Sequence, residues 1–282
     1  MRRILSALVL IPFVVYPILF GPLYLLVAVL LLATALGLWE AFRLVRAIEA
    51  PAAGFPLMEA AGYPLGVSLA LGLSVVELPV SDPRLLAPVV LSTLALAVIA
   101  NVAFAHDREI PWFTPGLAAL TAVFYVAVPL GLLVWVWRQT DGTFHLLFAL
   151  MVIWTGDTAG YYVGKNLGKH KSSPRISPNK TWEGTCASFG AALLVGAITA
   201  RYFWGGDGYA EPIVLAAFLN IAGQFGDLAE SGLKRRAGVK DSSHLIPGHG
   251  GVLDRMDALL FAAPVLWYYW LWKAARIHNL SI

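Results

Sequence analysis

Long apolar runs alternate with short polar segments along the whole chain. Nine such runs lie at about residues 4–20, 23–40, 60–78, 85–104, 113–137, 143–164, 184–204, 212–231 and 255–275. Lengths of roughly 17–25 residues suit helices that cross a hydrocarbon layer ~30 Å thick. A membrane β-barrel would instead show short segments of alternating hydrophobicity. The pattern predicts an all-α integral membrane protein, a polytopic bundle of about nine transmembrane helices. The third run is interrupted by Gly62, Pro64, Gly66 and Gly72, which membrane helices tolerate. The opening Met1-Arg-Arg-Ile-Leu resembles the start of a signal peptide. The first run passes at once through Gly21-Pro22 into the second, with no small-residue cleavage site between them. A retained helical hairpin is therefore expected.

Composition strengthens this reading. Of 282 residues, 59% are hydrophobic and 13% charged, with mean hydropathy +0.71. An ordinary soluble domain is about 25% charged. Charge placement adds direction. With the N-terminus in the cytoplasm and nine alternating spans, 15 of the 20 Lys and Arg residues fall on the inner side. That is the bias expected of cytoplasmic loops. The sole cysteine, Cys186, excludes an intramolecular disulfide, and its apolar setting predicts a small core residue.

Polar residues crowd into the C-terminal half. The chain divides into an N-terminal transmembrane scaffold, 1–140, and a C-terminal catalytic half, 141–282, with two basic inner loops. In the run 212–231, Asn220, Gln224, Asp227 and Ser231 follow one another at helical spacing and form one polar stripe. A hydrogen-bonded seam between helices explains Asn220 and Gln224. An ionisable residue near a bilayer is costly and marks function by default, so Asp227 is a candidate metal or substrate ligand. Asp254 and Asp257 open the last run on one helical face, where capping is the plain reading for either alone. Asp227 and Asp254 end one helix and begin the next, so they can meet across the connecting loop. Mg²⁺ is held by one or two carboxylates with substrate phosphates and water.

That loop contains Lys234, Arg235, Arg236 and Lys240, then Pro247-Gly-His249-Gly250-Gly251. Paired glycines let a backbone approach phosphate closely, and His249 between them is a candidate acid or phosphate donor. The other loop reads Ser177-Pro-Asn-Lys180-Thr181-Trp-Glu183. It is either a basic patch for anionic lipid or a phosphate-binding segment built from Ser177, Lys180 and Thr181. Before it, Gly156, Gly160 and Gly164 recur every four residues, a close-packing face, and Asp157 sits beside them as a carboxylate that either binds directly or supports residues that do. There is no P-loop, no dinucleotide fingerprint, no H-E-x-x-H and no G-x-S-x-G. The basic and aromatic stretches lie at span ends, so no nucleic acid partner is expected.

The run from Ser231 to Asp257 resembles the signature of the phosphatidate cytidylyltransferases, or CDP-diacylglycerol synthases. Its residues follow S-x-x-K-R, then K-D, then P-x-H-G-G-x-x-D-R-x-D. Ser177 to Gly184 and Gly156-Asp157-Thr158 resemble further segments of that family, although Gly160 stands where some members carry a bulkier residue. The resemblance implies CTP and phosphatidic acid as substrates in a lipid membrane, and CDP-diacylglycerol and pyrophosphate as products. It implies Mg²⁺, with room for a second cation, and a homodimer. It points to Asp227 and Asp254 as metal ligands, with Lys234 and His249 beside them in catalysis. Arg235, Lys240, Asp241, Gly250, Gly251, Arg255, Ser177, Lys180 and Thr181 are implied in substrate binding.

The lipid phosphate is already a nucleophile at neutral pH, so no Ser or Cys nucleophile is required. The active site is expected on the cytoplasmic side of a bacterial inner membrane, within reach of CTP. Two other readings stay open at this stage. One is a different CTP-dependent membrane lipid transferase or kinase. The other is an ion-coupled transporter, although repeated halves with broken helices are not evident.

Overall fold

The computed structural model describes residues 2–48, 55–77, 82–105, 114–204, 209–248 and 250–280. Nine helices stand among them: α1 (Arg2–Phe20), α2 (Leu23–Ile48), α3 (Phe55–Val75), α4 (Pro83–Phe104), α5 (Pro115–Trp137), α6 (Gly142–Leu167), α7 (Trp182–Tyr202), α8 (Ala210–Arg236) and α9 (Leu253–Leu280). Helices α2 to α8 each contain a stretch long and apolar enough to cross a membrane. The architecture is a polytopic membrane bundle. One antiparallel hairpin departs from the all-α expectation. Strands β1 (Lys171–Ser173) and β2 (Ser177–Thr181) pair between α6 and α7, with Lys171 opposite Thr181 and Ser173 opposite Ser177. The pairing satisfies backbone groups of a short connection that no helix could fill.

Local chemistry explains several boundaries. Thr114 caps α5, its Oγ1 accepting from the Leu117 amide at 3.4 Å, and Pro115 takes the first helical position. Thr181 caps α7 in the same way, accepting from the Gly184 amide at 3.2 Å. Several helices outrun the lengths expected from hydropathy. Helix α2 continues past residue 40 to Ile48, burying Ala41, Phe42, Leu44 and Val45, and α8 continues past 231 to Arg236. Mixed sequences of this kind lower hydropathy without breaking a helix, because the apolar face stays buried.

Helix α5 is the hub. It is apolar on every side and almost wholly buried, packing against α2, α3, α4, α6 and α9. The C-terminal helices join in the order α6, α7, α8, α9. Contacts at the two ends make the helices alternate in direction. At one end, Arg236 donates to Ala105 O, beyond α4, and Arg235 to Ile176 O in the hairpin. At the other, Arg138 after α5 donates to Ser74 O in α3 and pairs with Glu77. There too, Trp137 donates to Ile18 O in α1. Even-numbered helices therefore run toward the end that carries the hairpin and the 237–252 loop.

The glycine face on α6 packs backbone to backbone against α7. A Cβ on Gly156 would lie 2.5 Å from Asn220 Nδ2 and 2.9 Å from Ser188 Oγ. A Cβ on Gly160 would meet Gly184 O at 3.3 Å, and one on Gly184 would meet Gly160 O at 2.7 Å. The stripe of α7 that faces inward is Gly184, Ser188, Ala192, Gly196 and Thr199. Cys186 lies off that stripe and is exposed, contrary to the core position expected from its neighbours. Lipid is as apolar as a protein interior, so an apolar setting does not distinguish the two.

The glycine contacts give a direct test. Gly156→Val is expected to lower the thermal midpoint in detergent, with overpacking worth ~1–3 kcal/mol. Gly190→Ala, where an added Cβ meets nothing within 4 Å, is expected to leave the midpoint unchanged or raise it.

Candidate active site

The site lies where α8 ends, α9 begins and the hairpin meets α8. The polar stripe on α8 separates into two parts. Asn220 donates to Ser188 Oγ at 3.0 Å, and Gln224 donates to Asn220 Oδ1 and to Thr185 O. These two residues form the seam between α7 and α8. One turn further on, Asp227 is half-exposed and pairs with Lys180 from β2, Nζ to Oδ2 at 2.9 Å. Ser231 donates to the other oxygen of Asp227 at 3.3 Å. Lys180 thus fastens the hairpin to α8.

Lys234 and Asp254 form the buried centre. The ammonium group of Lys234 donates to Asp254 Oδ1 at 2.5 Å and to Glu230 Oε2 at 3.1 Å. Asp254 Oδ2 accepts from the Ser242 amide at 3.0 Å and the Gly251 amide at 2.7 Å, and it lies 2.9 Å from the Ser242 hydroxyl, whose one proton is shared with Glu40. One carboxylate therefore gathers α8, the loop and the first turn of α9. The helix dipole adds to this, since an anion is favoured at an N-terminus.

The remaining predicted residues take distinct places. Arg235 donates from Nε to Ile176 O at 3.2 Å and from Nη1 to Val239 O at 3.2 Å, so it joins the two basic segments. Thr181 is buried as the α7 cap, while Ser177 opens β2 opposite Ser173. Lys240 and Arg255 are exposed, and Asp241 is half-buried near Gly250. Gly250 has φ of 80°, a conformation that favours glycine. Its carbonyl accepts from the Ile246 amide at 2.9 Å, closing the loop. His249 lies outside the described residues.

Three buried groups complete this region without having been singled out from sequence. Glu230 is fully buried, with Oε2 on Lys234 and its carboxyl group hydrogen-bonded to Asp257. Tyr125, from α5, buries an unpartnered hydroxyl in the field of Glu230, Asp254 and Asp257. Glu40, from α2, is fully buried against the loop. The Glu230–Lys234 spacing of four residues was a readable signal for an ion pair. Glu40 was readable as an acid with apolar residues on both sides.

Acidic side chains outnumber basic ones in this cluster. Asp157, Asp227 and Asp257 act on one another with like charge, as do Glu230, Asp254 and Asp257. Lys180, Lys234 and Arg255 oppose them. Five carboxylates thus face three cations. Among the described residues, no three His, Cys, Asp or Glu side chains form a ready-made metal cage. An ion that takes one or two carboxylates and completes its shell with substrate phosphates needs no such cage. The donor set, hard carboxylate oxygens, fits Mg²⁺ by its chemistry.

Comparison with known proteins gives the family. A family model described as "Cytidylyltransferase family" matches residues 1–272. The chain is 34% identical over 209 residues to a phosphatidate cytidylyltransferase of Staphylococcus saprophyticus, covering 71% of this chain and 77% of that protein. It is 37% identical over 181 residues to one of Bacillus subtilis, covering 64% of each. Over 124 residues it is 47% identical to one of Brucella suis, covering 44% of this chain and 46% of that protein. A match that spans nearly the whole chain includes the helices of both halves as well as the signature loop, and so the chain belongs to the cytidylyltransferase family.

Proposed function

We propose that the protein transfers the cytidylyl group of CTP to phosphatidic acid, releasing pyrophosphate and forming CDP-diacylglycerol for phospholipid synthesis. The observation that carries this reading is a carboxylate and ammonium cluster at one end of a membrane bundle, under two basic segments, in a chain of this family. A phosphate oxygen of phosphatidic acid attacks the α-phosphorus of CTP. A new P–O bond forms there, and the bond from the α-phosphorus to the bridging oxygen breaks. The electron pair leaves with pyrophosphate. The nucleophile is supplied by the substrate, which agrees with a site rich in charge and without an activated Ser or Cys.

The chain's own task is positioning and charge neutralisation. Lys180 and Arg235 hold the hairpin against α8, so that cations from both basic segments face one space. Lys234 holds Asp254 in place and offers positive charge beneath it. Lys240 and Arg255 are exposed and free to meet a triphosphate. Asp227 and Asp254 would hold Mg²⁺, and a second cation belongs to the reading through the family resemblance. A bound divalent ion would neutralise phosphate oxygens and favour departure of pyrophosphate.

The membrane setting follows the same reading. The site end is placed in the cytoplasm of a bacterial inner membrane, supported by the cation bias of the loops and by bacterial relatives. A homodimer belongs to the reading through the family resemblance.

The first test is pyrophosphate release by detergent-purified protein given CTP, phosphatidic acid and Mg²⁺, each omitted in turn. Release is expected only with all three, and its absence from a folded protein would set the proposal aside. Asp227→Asn is expected to lower turnover by at least ~100-fold with no loss of thermal stability, because Asp227 is half-exposed. Undiminished turnover would remove Asp227 from the reaction. Lys234→Met is expected to lose both activity and stability, by about 3–5 kcal/mol, because it strands two buried carboxylates. In sealed membrane vesicles, added CTP is expected to react only when the cytoplasmic face points outward.

A further inference from the structure

The N-terminal half contributes one residue whose partners all lie in the signature loop. Glu40 belongs to α2, at the end of its apolar run, and is fully buried. An isolated ionised carboxylate so buried would be very costly. Here four donors meet it. Oε1 accepts from the Ser243 hydroxyl at 2.6 Å and the Val252 amide at 3.0 Å. Oε2 accepts from the Ser242 hydroxyl at 2.9 Å and the Leu253 amide at 2.6 Å. Every donor comes from residues 242–253, and the two amides open α9.

The glycine pair fits the same arrangement. A Cβ on Gly251 would lie 2.5 and 2.6 Å from the two Glu40 oxygens and 2.1 Å from Ser242 Oγ. A Cβ on Gly250 would lie 2.6 Å from Asp254 Oδ2. The two glycines are therefore held between two carboxylates, one from α2 and one from α9. Ser242 touches both, its hydroxyl 2.9 Å from Glu40 Oε2 and 2.9 Å from Asp254 Oδ2. In this place the glycines clear room for side-chain anions, a need separate from any approach of the backbone to phosphate.

We propose that Glu40 is a positioning residue for the reaction: a fixed anion in the N-terminal bundle that folds the 242–253 loop around itself and thereby sets Asp254 at the start of α9. It touches neither substrate nor reacting atoms and acts through Ser242, Ser243 and the first amides of α9. The inference rests on the cytidylyltransferase reading for its kinetic consequence, but not for its structural one. Glu40→Gln keeps the volume and one acceptor oxygen, and it replaces the other acceptor with a donor that faces donors. Ser243→Ala removes one of the four bonds from the loop side.

The experiment compares full-length wild type, Glu40→Gln, Ser243→Ala and the double variant in detergent. Pyrophosphate release gives kcat and the KM for CTP. Amide hydrogen exchange is measured across the chain. Thr34→Val on the same helix, whose hydroxyl donates to Leu30 O at 2.9 Å, serves as the packing control. Glu40→Gln is expected to lower kcat roughly 10–100-fold, as loss of a group supporting a ligand does. Exchange is expected to rise at residues 242–253 and stay unchanged in α5. Ser243→Ala is expected to cost less alone and little more in the Glu40→Gln background, because both remove parts of one network.

Wild-type kcat together with wild-type exchange in Glu40→Gln would overturn the inference. So would exchange that rises evenly through the bundle while kcat per folded molecule is kept, which marks a purely structural residue. Additive losses in the double variant would do the same. If wild type releases no pyrophosphate, the functional reading fails, and the exchange pattern alone decides whether Glu40 holds the loop. If Glu40→Gln does not fold, Ser242→Ala and Ser243→Ala carry the test from the loop side, with the same local rise in exchange expected.

Discussion

A carboxylate kept below a membrane surface has to be met by donors or by a cation, and this requirement organises the site. Asp254 is met by Lys234, Ser242 and the Gly251 amide, and Glu40 by two serine hydroxyls and two amides. The loop from α8 to α9 has little regular structure of its own. It is folded by the two acids, one on each side of it. Its shape thus depends on helices that hydrophobic packing has already placed. The apolar bundle supplies the stability, and the buried acids determine which of many loop conformations is adopted.

The same constraint explains why the site is assembled from helix ends. Helices α6 and α8 deliver their termini to one face of the membrane, and α9 starts there. Close packing of Gly156, Gly160 and Gly184 lets α6 and α7 approach without side chains between them. The hairpin connecting them is consequently held near α8, where Lys180 reaches Asp227 at 2.9 Å. Packing among small residues in the membrane thus becomes charge geometry at its surface.

Sequence revealed the membrane bundle, the alternation of helices and the signature residues because each carries a local signal. Hydropathy marks spans, and a dense polar run between apolar ones stands out. Asp227, Lys234 and Asp254 were visible for that reason, and the structure brings Lys234 and Asp254 into contact while Lys180 meets Asp227. What was not legible depended on contacts between distant segments. Glu40 lies 202 residues from Ser242, and nothing near it in the chain names its partners. Its span was expected to end at residue 40, which made an interior acid look like a boundary. The hairpin was hidden in a basic loop because its strands are very short. Cys186 was misplaced because periodicity cannot tell a face that meets lipid from one that meets protein.

The distance along the chain between Glu40 and its donors has a consequence for biogenesis. Helix α2 is made early, and the residues that satisfy Glu40 lie 202 to 213 positions later. At about 5–20 residues per second, the acid waits roughly 10–40 s for its partners. During that interval it must be hydrated or sheltered by the insertion machinery. The loop that completes the site is also the event that retires this exposed acid, so maturation of the bundle and assembly of its chemistry end in a single step.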